Sequence, residues 1–382
     1  MRIRLFLAVA AMAMAACSRG DVTQPGVTRA DSAGIRLITS AAADTTLLWR
    51  FTEVDVLRDT LGEPYLFTRL WGRAVLTDRA GRVYVLTRDP SILRFGRDGK
   101  LERTIGRQGG GPGEMQLPAL LVSSGDTLVV LDLMKRSLVR WGPTLDPISD
   151  RRLEGALERA NDLAFRSGGL WFQRFIFSDS GLKIGFYSDS IGPPLHQVTI
   201  PSGGPVKFKC IGLSQSTPLF SPTISWAVNG PRVIVNQGPA YSLSLYEGPR
   251  LIASIRRSIA PRAPTVEDVR VQYPEGYKVS FGGDRPPCIT PVEDVMKGFG
   301  LAPVYPAVHD VALLGDGTIW VQRTPFAAKE PVLDVFAPDG AYVGTVRGMN
   351  LPVGMLPNGQ LLVPRTDEAS GGLVLARVKM DR

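Results

Sequence analysis

LTDRAGRVYVLTR (76–88) sets a few apolar residues before a glycine-bearing turn and then a strand rich in β-branched and aromatic residues. The phrase returns as LVSSGDTLVVLDL (121–133), LAFRSGGLWFQRF (163–175), SWAVNGPRVIVNQG (225–238), ALLGDGTIWVQRT (312–324) and GMLPNGQLLVPRT (354–366). Aligned on Gly81, Gly125, Gly169, Gly230, Gly317 and Gly359, the copies lie 44, 44, 61, 87 and 42 residues apart. A base period near 43 is the length one four-stranded blade consumes, so six copies predict an all-β, six-bladed β-propeller.

The outer half of each blade is legible too. RFGRDGKLERTIG (94–106) and DVFAPDGAYVGTV (334–346) put an aromatic before a turn and a strand after it. Asp98-Gly99 and Asp339-Gly340 are dipeptides that favour tight hairpins, in which both central residues take positive φ. The strand-like segments IRLITS (35–40) and WRFTEVDVL (49–57) precede the first repeat, while the last copy has only one further strand, LVLARVKM (373–380). A ring must join its first and last blades or leave edges exposed to pairing with other chains, so the N-terminal strands are expected to complete the last blade.

Two spacings exceed the period and mark insertions. Residues 201–219 hold Cys210. Residues 260–304 hold Cys288 and two helix-like starts, TVEDVRV (265–271) and TPVEDVMKGF (290–299). Thr265 and Thr290 are the expected N-caps, with acids in the first turn where the helix dipole favours them. Such insertions either form a flap over one face or cover a blade edge.

The chain opens MRIRLFLAVAAMAMAACSRG. Arg2 and Arg4, the apolar run Leu5–Ala13 and the small residues that follow make a secretory signal peptide over 1–16. Its apolar part is too short to span a bilayer. Met14-Ala15-Ala16-Cys17 resembles the lipobox of bacterial lipoproteins, which implies a lipidated Cys17 as the new N-terminus. Ser18 rather than Asp after it implies the outer membrane. Residues 17–33 are small and polar and read as a flexible tether, leaving 34–382 for the propeller. In an oxidising compartment the two remaining cysteines, Cys210 and Cys288, suggest a disulfide, with two buried thiols as the alternative.

Without residues 1–16 the 44 basic and 36 acidic residues become 42 and 36. That surplus is mild, with no Lys/Arg block and no aromatic-basic interleaving, so a nucleic-acid partner is not expected.

FGRDGKLERTIGRQGGGPGEMQLP (95–118) resembles the linker between NHL repeats: Gly106, Gly109, Gly111, Gly113 and Pro118 hold the pattern, and Met115 stands where an aromatic is usual. With DSAGIRL near its start, the chain is similar to bacterial six-bladed β-propeller lipoproteins of unassigned function. A phosphate-cradling reading of GRQGGGPGE lacks the following helix and Lys-Ser/Thr pair.

Counting back seven and eight residues from each aligned glycine reaches the entry end of each innermost strand. There blades three and five present Asn161-Asp162 and His309-Asp310, with Arg73 on blade one. These groups converging on one mouth could steer a polar ligand or ligate a divalent cation. The calcium-dependent lactonases built on six-bladed propellers use a similar constellation, with more carboxylate or amide ligands. Otherwise the side chains cap strands. His196, in PPLHQVTI, reads as a surface residue of an outer strand. No GxSxG elbow occurs. Trp49, Trp71, Trp141, Trp171, Trp226 and Trp320 read as packing between blades rather than a cofactor box.

The sequence therefore predicts a lipid-anchored, extracytoplasmic binding or scaffolding module without cofactor, its partner a protein segment or a glycan. The rivals are a divalent-metal hydrolase at Asp162, His309 and Asp310, and an envelope assembly factor.

Overall fold

Five of the six hairpin phrases hold their aligned glycine at positive φ (Gly81, Gly125, Gly230, Gly317 and Gly359), whereas Gly169 is already paired with Arg166 in the ladder. The Gly81 N–H donates to the Asp78 carbonyl at 3.0 Å, Gly81 takes φ +80°, and Thr77 then faces Val83 across an antiparallel pair. Gly317 and Gly359 repeat this bond to Leu314 and Leu356 at 2.9 Å. A positive φ at the end of the turn is the conformation that a residue without Cβ adopts at least cost.

The computed structural model describes residues 27–382 except 69, 71, 167–168, 179–180, 189–191, 202–204, 207–213, 216, 280–285 and 326–329. Six four-stranded antiparallel meanders follow one another. Blade 1 runs from Val75–Thr77 to Leu101–Ile105, blade 2 from Pro118–Ser124 to Arg151–Arg152, and blade 3 from Ala160–Arg166 to His196–Pro201. Blade 4 runs from Ile224–Asn229 to Arg250–Arg257, and blade 5 from Val308–Leu313 to Tyr342–Arg347. Blade 6 takes Gly354–Met355, Leu361–Thr366 and Leu373–Asp381 from the end of the chain and Arg50–Val56 from its start. Phe51 pairs with Met380 and Thr52 with Lys379. The sheet is thus closed by strands from both ends, as the missing fourth strand of the last repeat requires.

Six hydrophobic clusters fill the six gaps between neighbouring blades. Val130 and Trp141 meet Leu86 between blades 1 and 2, and Leu131 meets Phe172 and Tyr187 between 2 and 3. Trp171 and Phe186 meet Val235 between 3 and 4. Leu243 and Ile255 meet Val321 and Phe336 between 4 and 5. Trp320 and Val335 meet Val363 and Val374 between 5 and 6. The seam between 6 and 1 is as dry as the rest, with Leu362 and Leu375 against Val85 and Phe95. Each such side chain contributes about 1.5–3 kcal/mol when fully buried.

Only one of the two N-terminal strand segments completes the last blade. Ile35–Ser40 instead lies parallel to Arg250–Arg257 as a fifth strand of blade 4, and Val27–Ser32 pairs with it as a sixth. Val27–Ser32 belongs to the stretch read as tether, so any tether ends before it. Between these strands and Arg50–Val56 the chain crosses blade 5, where the Leu47 N–H donates to the Thr345 carbonyl at 3.0 Å. It then reaches blade 1, where the Arg58 N–H donates to the Gly99 carbonyl at 2.9 Å. Residues 27–58 therefore form an outer strap over four consecutive blades.

The Asp-Gly turns also differ from expectation. Gly99 and Gly340 have positive φ while Asp98 and Asp339 do not, and each turn ends in a one-residue register shift. The aspartate side chains accept from the Lys100 and Ala341 N–H groups at 3.2 and 3.0 Å, which favours the bulged turn over the two-residue one. In the glycine-rich linker Met115 is fully buried beside Trp141, and Glu114 accepts from the Gly111 N–H at 2.8 Å.

In the second insertion, helix α1 (Val266–Gln272) begins with a Thr265/Asp268 capping box. Helix α2 (Val292–Phe299) starts on Pro291. Thr290 is no cap but the buried end of strand Cys288–Thr290, paired with Tyr277. Among the described residues no helix is long and apolar enough to cross a membrane.

Candidate functional site at the channel mouth

Blade order decides which sequence positions meet. The innermost strands surround a central cavity of about 1250 Å³ to which all six blades contribute. In blade 3 the ladder skips one residue between Ala160 and Asp162, and in blade 5 between Val308 and Asp310. The bulged residues are Asn161 and His309. Beyond them Asp162 faces Gln173 and Asp310 faces Gln322. A bulge re-aims the side chains around it, and both acid–amide pairs line the cavity.

Arg73 comes from the short helical turn Gly72–Ala74 that leads into blade 1. In a six-membered ring blade 4 lies opposite, and the guanidinium reaches that far. Its Nη2 donates to the Trp226 carbonyl at 3.0 Å, and its Cζ lies 3.5 Å from the Trp226 ring centroid. Its Nε stands 2.7 Å from Asp162 Oδ1. One cation from blade 1 is thus stacked on blade 4, between carboxylates of blades 3 and 5. A guanidinium over an indole in a partly desolvated place gains roughly 1–2 kcal/mol.

The electrostatics of this neck follow from burial. Desolvation pushes the Asp162 carboxyl up to about 6, against the opposing pull of Arg73. Desolvation also raises Asp310, which is only partly offset by its bond from the Val311 N–H and by His309 and Arg73. Arg73 itself is lowered by burial although both carboxylates favour its charge. Asp310 forms no ion pair within 4.0 Å among the described residues, and Asn161 Oδ1 and Gln173 Oε1 are buried without a hydrogen-bond partner.

Of the five mouth residues expected from sequence, Arg73, Asn161, Asp162 and Asp310 line the cavity. His309 does not and is exposed, although Asn161, the equivalent bulged residue of blade 3, does line it. Among the described residues no group of three His, Cys, Asp or Glu side chains is placed to hold a metal ion. Arg73 stands against the carboxylate that such a site would need.

The sequence reading missed Gln173, Gln322 and Trp226 as site residues. The signal was present: Trp171-Phe172-Gln173-Arg174 and Trp320-Val321-Gln322-Arg323 share one pattern, in the same two blades that carry Asp162 and Asp310. Trp141, Trp171 and Trp320 are buried between blades as expected, whereas Trp226 also presents a face to Arg73. Trp71, Cys17 and Cys210 lie outside the described residues. His196 is not a surface residue; it is half-buried between blades 3 and 4, where Nε2 lies 2.7 Å from the Tyr246 hydroxyl, and burial lowers its pKa.

Both insertions leave the ring on this same side. Outer strand His196–Pro201 of blade 3 and outer strand Arg250–Arg257 of blade 4 end where the inner strands begin. The Leu219 N–H donates to the Gly300 carbonyl at 2.9 Å, and the Ala302 N–H returns a bond to Leu219 at 2.9 Å. Phe220 stacks on Tyr305 at 4.6 Å. The described residues of 260–304 are rooted beside the mouth and do not line the cavity.

No known family model matches the chain, and no curated protein is similar to it in sequence. Among solved structures it is similar to a protein of Bacteroides fragilis described as exported, at 11% identity and TM-score 0.53, over 91% of this chain and 100% of that one. A streptogramin B lyase aligns at 8% identity and TM-score 0.41, over 87% of this chain and 98% of the lyase. A virginiamycin B lyase from Staphylococcus aureus aligns at 10% identity and TM-score 0.38, over 87% and 99%. At such identities the likeness is one of fold.

Proposed function

We propose that this propeller is an extracytoplasmic binding module that receives its ligand at the mouth where the innermost strands begin. One observation carries the reading: Arg73 crosses the channel to Trp226 between two half-buried carboxylates, amid amide oxygens that have no partner. Buried polar atoms left unpaired cost about 1–3 kcal/mol each, and a ligand that pairs them recovers that cost. The bulges that place Asp162 and Asp310 and the insertions rooted on the same rim support this mouth over the other.

A thermal-shift screen of acidic, basic and neutral small molecules and short peptides tests it. Compounds that raise the melting temperature should lose their effect in Asp162→Asn and Trp226→Phe. Hits indifferent to both variants would remove the reading.

The lipid anchor at Cys17 and an outer-membrane location belong to the same proposal, supported by the lipobox-like MAAC and by Ser18. Fatty-acid labelling should mark the wild type and not Cys17→Ser. A Cys210–Cys288 bridge is supported by the disulfide-bonded state of Cys288; alkylation of the unfolded chain before and after reduction, followed by mass measurement, reads it directly. The NHL-like pattern of the 106–118 linker supports kinship with exported propellers of that type.

A further inference from the structure

Among the described residues, the neck of the channel carries more negative than positive charge and buried acceptors that have no partner. Arg73 is one positive charge; Asp162 and Asp310 are two negative ones, and Asp162 is the one Arg73 contacts. Arg79 also lines the cavity, at the opposite mouth beyond the first strand of blade 1, and His309 stands outside it. Asn161 Oδ1 and Gln173 Oε1 are buried acceptors without a hydrogen-bond partner, and Asp310, whose Oδ1 accepts from the Val311 N–H at 2.8 Å, has no ion pair within 4.0 Å among the described residues. Gln322, opposite Asp310, adds an amide that can turn its oxygen inward.

A hard divalent cation needs six or more oxygens at about 2.3–2.6 Å, and Arg73 already stands against one of the two carboxylates. An ammonium asks for three acceptors and a guanidinium for five in a plane. The rim is not sugar-like. Leu117, Met134 and Phe177 are 49%, 65% and 70% exposed. Leu117 directly precedes the inner strand of blade 2, Met134 follows its second strand, and Phe177 lies four residues past Gln173. Apolar side chains around an acidic neck match a polypeptide with a basic residue among apolar neighbours.

We propose that the channel mouth binds a protein partner by taking one of its Lys or Arg side chains into the neck, with Asp310 as counter-ion and Asn161, Gln173 and Gln322 as acceptors. The proposal rests on the binding-module reading and narrows it to a basic peptide.

Calorimetric titration of the folded protein with Ac-Leu-Lys-Leu-NH2, its norleucine counterpart Ac-Leu-Nle-Leu-NH2 and glucosamine tests it. The lysine peptide should bind at least tenfold more tightly than the norleucine peptide. Asp310→Asn and Gln322→Ala, each first shown to melt like the wild type, should each weaken the lysine peptide, the former tenfold or more. Equal binding of both peptides, binding of glucosamine alone, or an unchanged affinity in Asp310→Asn would overturn the proposal. So would silence from all three probes. If the wider screen then finds acidic or neutral compounds that depend on Asp162 and Trp226, the binding module stands and only its basic ligand falls.

Discussion

Arg257 and Asp334 face each other at 2.9 Å with both side chains wholly shielded from solvent. The first ends blade 4 and the second lies in the third strand of blade 5, so the pair joins two blades under the N-terminal strap. Asp334 also accepts from the Tyr241 hydroxyl at 2.8 Å, from Thr345 at 2.7 Å and from Arg323 at 2.7 and 2.9 Å. The Arg257 guanidinium donates to the carbonyls of Ala41, Ala42 and Ala43. Above it Asp44 is held by Arg323 and by Arg347 at 2.6 Å. Burial works against the Asp44 charge, but these arginines outweigh it and lower its pKa.

Removing one partner of a buried, fully bonded ion pair strands the other. Asp334→Ala should therefore destabilise the protein by about 3–5 kcal/mol. Asp44→Ala, at a more exposed position, should cost about 1 kcal/mol and should make residues 41–48 easier to cut. Urea unfolding and limited proteolysis read the two effects.

The strap has two separable parts. A chain starting at residue 49 keeps Arg50–Val56 and should remain a closed ring of reduced stability, with only the outer edge of Arg250–Arg257 newly bared. A chain starting at residue 58 loses the fourth strand of blade 6 and bares the edge of Leu373–Asp381, so it should aggregate. Size-exclusion chromatography and circular dichroism distinguish them.

Asp162 makes a signed contribution to the pH dependence of stability. Its carboxyl rises from 3.8 to about 6 on folding, so between those values the folded protein holds more protons than the unfolded chain. Its contribution is full below pH 3.8 and is lost as pH rises through about 6. The stability of wild type relative to Asp162→Asn should fall across that window and level off above it. A difference that rises with pH, read from urea midpoints, would contradict the assignment.

Two glycines with similar backbone angles should respond differently to alanine. Gly125 has φ +59° with nothing within 4 Å of an added Cβ, so Gly125→Ala should cost only the left-handed backbone penalty of about 1–2 kcal/mol. At Gly113, φ +72°, the Cβ would stand 2.5 Å from Pro147 Cβ. Gly113→Ala should cost about 1–3 kcal/mol more through overpacking, as differential unfolding midpoints would show.

The blade count, the order of the meanders and the need to borrow a final strand were all legible, because each depends on local turn chemistry and on a repeat that short-range pattern carries. Gly81, Gly317 and Gly359 hold the turns their spacing implied, and Thr265 caps the helix it precedes. Which N-terminal strand would be borrowed was not legible. Ile35–Ser40 and Arg50–Val56 are both strand-like, and only the position of the blade 4 edge and the Arg257 cage beneath residues 41–43 sends the first outward. The mouth was half legible for the same reason. Counting along the repeat brought Asp162 and Asp310 to equivalent places, since equivalent blades share a register. That Arg73 would cross the ring to Trp226 depended on a distance across the channel, and the bulges at Asn161 and His309 on a one-residue slip in pairing. Neither quantity exists until the six sheets have closed.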